Sequence, residues 1–455
     1  MKRIIISTLI LAVLSGCSIY RKYPRTAEAD RNLYGKEYSS EDSTSIATLS
    51  WKELFTDTCL QRLIDTALVH NTDLGTARLH VEQAEAALLT ARLSYLPSVN
   101  VGAEGGLAGW DGSTSKTYNI NGAASWEIDI FGKITAAKRE ARASLEKSYA
   151  YRQAVQTSLV ASVASTYYTL LMLDSQYTVT EETAAKWRQS VETMRAMKEA
   201  GMTNEAGVAQ YEGNTYAIEA SLHDIAYQRT QIENSLCSLL GEAPHAIGRG
   251  SLDNQQLPDD LTVGVPLQML SNRPDIRSAE YTLMQSYYAT ASARSALYPS
   301  ITLSGTLGWG NNVPITDAGK LIWNAAGSLL QPIFNANANR ARVKIAKAQQ
   351  EESRLSFQQA LLNAGAEVNN ALTQCQSARA KTDLRARQIA AMQRAVESTE
   401  LLMQHGSTTY LEVLTAQQSL LSAQLSQISD RFDEIQGVVN LYQALGGGRD
   451  ITEEK

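Results

Sequence analysis

The sequence repeats itself at long range. "DLGTARLHVEQAEAALLTARLSYLPSVNV" starts at Asp73, and "DIRSAEYTLMQSYYATASARSALYPSITL" starts at Asp275. Each runs 24 residues from its Asp to its Pro, Pro97 or Pro299, and Ala91-Arg92 matches Ala293-Arg294. Downstream, "WEIDIF" ending at Phe131 faces "LLQPIF" ending at Phe334. "EAGMTN" around Gly201 faces "QHGSTT" around Gly406, and "LLG" at Gly241 faces "ALG" at Gly446. The offset drifts only from 202 to 205 residues, so the match spans nearly the whole chain after its first segment. Two copies of one unit must use one order of elements twice. Residues 57–244 form the first repeat and 266–448 the second. A Gly, Pro and Asp-rich connector at 245–265 joins them, and 449–455 is a C-terminal tail.

Proline placement sets the length of the elements. None occurs between Pro97 and Pro244, or after Pro332, so helices of more than sixty residues can persist. Each repeat reads as helix, two strands, a very long helix, a tight turn and a medium helix. The helices fall at about 58–95, 135–200 and 205–240, then at about 266–297, 338–404 and 409–444. The strands fall near 98–109 and 117–131, then 300–310 and 321–332. At 1.5 Å per residue the long helices span roughly 90–100 Å, which predicts an elongated rod. Stretches such as "AVQTSLVASVASTYYTLLML" carry apolar residues at three- and four-residue steps with small residues between them, the pattern of a coiled-coil bundle.

The strands raise a solvent question. Tyr118, Ile120, Gly122, Ala124, Trp126 and Ile128 alternate with Asn119, Asn121, Ser125 and Glu127. Ile301, Leu303, Gly305, Leu307 and Trp309 alternate with Thr302, Ser304, Thr306 and Gly308. In water such an apolar face needs a covering layer, and the long helices leave little sequence to supply one. A lipid-facing barrel wall explains the same alternation without a cover. Trp110, Trp126, Trp309 and Trp323 then fit an interfacial girdle or ordinary packing. Four strands cannot close a barrel, and an open edge in lipid strands backbone groups without partners. Several chains must share one barrel; two, three or four copies give eight, twelve or sixteen strands.

The first residues supply an address. "MKRIIISTLILAVLSGC" has a basic start, a short apolar run and small residues before Cys17. Residues 1–16 read as a secretory signal too short to span a membrane. Leu14-Ser15-Gly16-Cys17 resembles the bacterial lipobox, which implies cleavage before Cys17 and its acylation; a plain signal peptide is the alternative. Residues 17–56 then form a lipid-anchored linker. Ser18 favours the outer over the inner membrane by analogy.

Composition removes other classes. The formal charge of −6 becomes −8 once Lys2 and Arg3 leave with the signal, which argues against a nucleic-acid partner. Cys59, Cys237 and Cys375 are isolated and read as buried single thiols. His70, His80, His223, His245 and His405 show no metal-ligand spacing, and no nucleophile motif or complete phosphate loop occurs. No enzyme, cofactor or metal site is expected. Met194, Met197 and Met202 read as helix packing, with soft-metal handling as the alternative.

Several motifs together resemble the TolC-like outer-membrane efflux proteins, particularly their lipoprotein branch. They are "LSGC" at Cys17, "WKELFTDTCLQRLIDTAL" from Trp51, "LPSVNV" from Leu96, "WEIDIFGK" from Trp126, "NRPDIRSAE" from Asn272, "ALYPSITLSG" from Ala296, "QPIFN" from Gln331 and "YLEVLTAQQSLLSAQ" from Tyr410. The resemblance implies an α+β membrane protein that works as a homotrimer. Each chain gives four strands to a shared twelve-stranded outer-membrane barrel and long helices to a periplasmic helical barrel. It implies lipid contact, a periplasmic adaptor protein and an inner-membrane transporter as partners, and export of small molecules. A coiled-coil lipoprotein with an adhesive or scaffolding role and no channel is the rival reading.

The resemblance also points to the helix turns. In "QHGSTTYLEVLTAQQ" the family commonly carries an acidic residue six after the Gly and often a second nine after it. Glu412 matches the first and Thr415 replaces the second. Three Glu412 carboxylates would constrict a pore and prefer cations. Alternatively, Thr409-Tyr410-Leu411-Glu412 is a capping box. Gly207 and Thr408 stand where some relatives carry an acidic and a basic gate residue, which disfavours closure through that salt bridge. Tyr410 completes the gate and tip candidates. Gly201 and Gly406 match glycines that adaptors approach, or are simple helix-ending glycines.

Overall fold

The computed structural model describes residues 22–24, 50–256, 273–311 and 319–447. The first repeat runs α1 (Trp51–Leu54), α2 (Thr58–His70), α3 (Thr72–Leu93), β1 (Ser98–Trp110), β2 (Ser113–Ile128), α4 (Lys133–Glu199) and α5 (Glu205–Leu240). The second runs α6 (Pro274–Ser295), β3 (Ser300–Asn311), β4 (Lys320–Leu330), α7 (Ala338–Gln404) and α8 (Tyr410–Ala444). The chain forms two compact units that cut across the repeats. Of the described residues, one holds 22–24, 78–151, 275–311 and 319–360; the other holds 50–77, 152–256, 273–274 and 361–447.

In the first unit the four strands form a single antiparallel meander, order β1-β2-β3-β4. Its register keeps the sequence alternation aligned across every seam. Val101 pairs Gly122, Ile120 pairs Trp309, Trp126 pairs Leu303, and Leu307 pairs Trp323. On the other face Glu104 pairs Asn119, Ser125 pairs Ser304, and Thr306 pairs Asn324. One face is therefore apolar over all four strands. Val101 is 81 % exposed, Leu307 59 % and Trp323 73 %, so no described part of this chain covers it. Trp126, Trp309 and Trp323 lie on that face; the side chain of Trp110 lies outside the described residues.

β2 ends at Ile128 rather than continuing to 131 as the alternation predicts. Asp129 leaves the strand to cap α4: its carboxylate accepts from the backbone N–H of Ile134 at 3.0 Å and of Thr135 at 2.8 Å, and from the Thr135 hydroxyl at 2.6 Å. A carboxylate at a helix N-terminus satisfies orphan donors and meets the positive end of the dipole.

Among the described residues the second unit has helices and no strand. Its core joins Leu60 and Ile64 of α2, Val163, Tyr167 and Leu171 of α4, Leu236 and Leu240 of α5, Val368 and Leu372 of α7, and Val438 and Leu441 of α8. Cys237 and Cys375 are buried in it, as expected of single thiols, whereas Cys59, expected to be buried too, is only partly so at its margin. Burial pushes the Cys375 thiol up to about 11. Along α4 the hydroxyls of Thr166, Thr169, Thr180 and Thr183 each donate to the carbonyl four residues back, so a polar stretch of helix packs without orphaned hydroxyls.

The helix expected over 58–95 is two helices. Asn71 is extended, φ −62° and ψ 129°, and ends α2. Its side-chain oxygen accepts from the N–H of Asp73 and Leu74, and its amide donates to the Leu239 carbonyl, each at 3.0 Å. Side-chain capping here overrides an unbroken apolar pattern. The duplicate position is Arg273, after which α6 starts at Pro274, as favoured at a first helical turn. The part of the expected 266–297 helix before Arg273 lies outside the described residues.

Candidate functional site at the helix turns

Both long helices end in the same local structure. At the first turn Gly201 has φ 74°, its N–H donates to the Lys198 carbonyl at 3.0 Å, and Met202 N–H donates to Met197 at 2.8 Å. At the second turn Gly406 has φ 68°, its N–H donates to Met403 at 3.0 Å, and Ser407 N–H donates to Leu402 at 2.8 Å. These are paired Schellman closures, for which glycine is the residue without a Cβ penalty. No other atom comes near the place where a Cβ would sit on either glycine.

The entries to the next helices differ. Asn204 caps α5, its side-chain oxygen accepting from Gly207 N–H at 3.0 Å. Thr409 makes no side-chain capping bond at the start of α8. The capping box expected over Thr409–Glu412 is thus not formed. The Glu412 carboxylate instead accepts from the hydroxyl of Thr408. Glu412 is exposed, and no cation among the described residues pairs with it. Thr415 uses its hydroxyl on the Leu411 carbonyl at 2.7 Å, so it satisfies its own helix rather than extending an acidic site.

Beneath the turns lies a small apolar core of Trp187, Val191, Met194, Val208, Tyr211 and Leu414, with Met197 and Tyr410 packed on it. Tyr410 leans on Tyr211, ring centroids 6.5 Å apart. Burial pushes the Tyr211 hydroxyl up to about 12. Met194 and Met197 therefore pack, as the bland reading has it, while Met202 is exposed. A Cβ on Gly207 would meet Met194 Cε, Thr203 Oγ1 and Tyr410 Cε1, each at 3.1 Å. A side chain here needs these neighbours to give way by a few tenths of an ångström, so an acidic gate residue does not fit without their moving.

The flanks of the first turn carry ion pairs, and among the described residues the second turn has none. Arg195 pairs with Glu212 at 2.6 Å and Glu192 at 2.7 Å, and Lys198 pairs with Glu205. Tyr410, Glu412, Thr408 and Gly406 thus share one turn; Gly201 marks the other.

Outside the tips, a network that the sequence reading missed holds the segment after α5. Asp57 accepts from Tyr167 at 2.7 Å and from the Gln255 amide at 2.9 Å, while Gly250 N–H donates to Tyr167 at 3.0 Å. Arg249 pairs with Asp174 at 2.5 Å and with Glu233. Partners 110 and 198 residues apart leave no local signature.

The description "Outer membrane efflux protein" matches residues 63–242 and 265–447. The chain belongs to the outer membrane efflux protein family. Within that family it is 29% identical to the cation efflux system protein CusC of Escherichia coli O6:H1, over 96% of this chain and 97% of that protein. It is 31% identical to the toluene efflux pump outer membrane protein TtgC of Pseudomonas putida, over 96% of this chain and 93% of that protein. The structure of the open state of the MtrE outer membrane channel of Neisseria gonorrhoeae superposes with TM-score 0.80 at 29% identity, covering 90% of this chain and 94% of that one.

This efflux family member is an outer-membrane channel component of an efflux system and not an enzyme. It is a lipid-anchored outer-membrane protein with a periplasmic helical part: a prokaryotic membrane lipoprotein lipid attachment site matches residues 1–18. Cys17 itself lies outside the described residues. Among the described residues no helix is long and apolar enough to cross a membrane, and no cluster of His, Cys, Asp and Glu suits a metal.

Proposed function

We propose that three copies of this chain assemble into one twelve-stranded outer-membrane barrel continued by a periplasmic helical tunnel. An adaptor protein and an inner-membrane transporter would deliver small molecules to it. The carrying observation is the uncovered apolar face that stays in parity across all four strands, on a sheet whose edge strands β1 and β4 have no strand on their outer sides among the described residues. Lipid suits that face. Closing the edges takes further copies, and twelve strands leave a conducting lumen where eight would be filled by side chains.

In this reading Cys17 carries the acyl anchor, Glu412 lines the periplasmic constriction, Thr408 orients its carboxylate, and Gly201 and Gly406 mark the tips that the adaptor meets. An exposed Glu412 without a pairing cation among the described residues supports the constriction role. The related channels are named for cation and for toluene efflux at comparable identity, which supports a conduit whose cargo is chosen by the transporter. Single-channel recording of the purified protein in planar bilayers tests the proposal. Discrete cation-preferring conductances are expected, and an absence of conductance from well-inserted protein would return it to a scaffolding lipoprotein.

A further inference from the structure

The two repeats meet in the sheet where β2 pairs with β3. Just below that seam Phe131 stacks on Tyr298, ring centroids 5.0 Å apart and planes 13° from parallel. Phe131 closes "WEIDIF" and Tyr298 precedes Pro299-Ser300. Their duplicates are Phe334, which closes "LLQPIF", and Leu96, which precedes Pro97-Ser98. These two sit at opposite edges of the sheet, Phe334 beyond β4 and Leu96 before β1. Within one chain they do not meet: Phe334 is 89 % exposed and Leu96 62 %.

We propose that Phe334 of one copy packs on Leu96 of the next, making between chains the clasp that Phe131 and Tyr298 make within one. The inference rests on the trimeric reading above and gives the seam between copies a specific contact.

The duplication carries the argument. Phe131 and Tyr298 lie in the bends just beyond β2 and just before β3, and their rings stack where those two strands pair. Phe334 and Leu96 lie in the matching segments beyond β4 and before β1. In β1 and β4 the apolar face holds odd-numbered residues, Val99 and Val101, Trp323 and Leu329. Antiparallel pairing of β4 with β1 of the next copy, with both apolar faces toward lipid, brings the end of β4 and the start of β1 to the same end of the seam, as β2 and β3 bring Phe131 and Tyr298.

The duplication is not perfect, and its departures keep the parity. The hairpins differ by two residues in register: Ser98 faces Ser125, whereas Ser300 faces Leu330. A slip of two residues leaves every side chain on its own face. Leu96 in place of Tyr298 makes the clasp between chains a ring on an aliphatic side chain, not two stacked rings.

The test uses the full-length protein in detergent, in a Cys59→Ser background because Cys59 is half-exposed while Cys237 and Cys375 are buried. Leu96→Cys and Phe334→Cys on the same chain, treated with a short bifunctional maleimide, should give dimers and trimers on a denaturing gel. Mixing chains that carry one cysteine each should stop the ladder at dimers. Phe131→Cys with Tyr298→Cys is the reagent control and should link within one chain. Three-chain particles that link at the control pair but not at Leu96 and Phe334 would overturn the clasp and leave the trimer standing. Particles with the mass of one chain would overturn the trimeric reading together with the clasp. Phe334→Ala should lower the temperature at which the trimer dissociates, and Phe334→Leu should restore most of the loss; equal behaviour of the two variants and the parent also counts against the clasp.

Discussion

The hydroxyl of Thr408 donates to the carboxylate of Glu412, four residues on and across the start of α8. The residue before that helix, Thr409, makes no such bond to it. The tip is therefore held by Schellman closure and apolar packing, and the carboxylate is left available to the solvent side. Glu412→Gln should weaken cation selectivity and block by divalent ions in bilayer recordings, with little change in thermal stability. Wild-type selectivity in that variant would remove Glu412 from the channel residues.

The two helix entries should respond differently to loss of their caps. Asn204→Ala removes a formed bond and should cost about 1 kcal/mol of local stability. Thr409→Ala removes none and should cost less than about 0.5 kcal/mol, the range of ordinary surface substitutions. Hydrogen exchange at the first turns of α5 and α8 compares them directly.

Gly207 is closed in by Met194, Thr203 and Tyr410. Gly207→Val should destabilise the tip by about 1–3 kcal/mol, the usual range for overpacking. Trimming the neighbour with Tyr410→Leu should recover part of that. Thermal unfolding of the two single variants and the double variant gives the coupling; strict additivity would show that the two sites do not share space.

Strand parity makes a paired prediction. Leu303→Arg puts charge on the apolar face and should cost about 2–4 kcal/mol if near the membrane midplane. Thr302→Arg puts the same charge on the opposite face and should be tolerated. The yield of membrane-inserted oligomer measures both, and equal yields would contradict the face assignment.

Acid should loosen the Asp57 network. Burial opposes ionisation of Asp57, but hydrogen bonds from Tyr167, from Gln255 and from the N–H of Cys59 and Leu60 outweigh it, and the carboxyl lies below its ordinary value. A depressed carboxylate stabilises the fold above its unfolded pKa, about 3.9. That contribution fades as pH falls from there through the folded value. The thermal midpoint of the parent should drop below about pH 4 more steeply than that of Asp57→Asn. Parallel curves would show that Asp57 is not linked to folding.

The long elements were legible because their signals are local. Proline exclusion and the glycines at 201 and 406 mark where α4 and α7 end. The strand alternation around Trp126 and Leu303 survives intact in the register. What escaped was set by side chains acting against the local pattern or over long distances. Asn71 breaks a helix whose apolar spacing runs on, and only the Pro274 of the other repeat hints at it. Asp129 draws the chain out of β2 into a cap. At the tip, a capping-box spacing existed without its bonds, because Glu412 found Thr408 first.

The apolar face of the sheet has a consequence for how the protein is made. Before insertion, that face and the open edges of β1 and β4 are a template for wrong pairing with any other extended chain. In the proposed assembly, closure of the sheet needs several chains at once, whereas misassembly needs only two. That assembly predicts escort of newly exported protein across the periplasm, or strand pairing delayed until lipid is reached. Raising its expression should produce aggregates rich in unpaired β segments before it overfills the membrane.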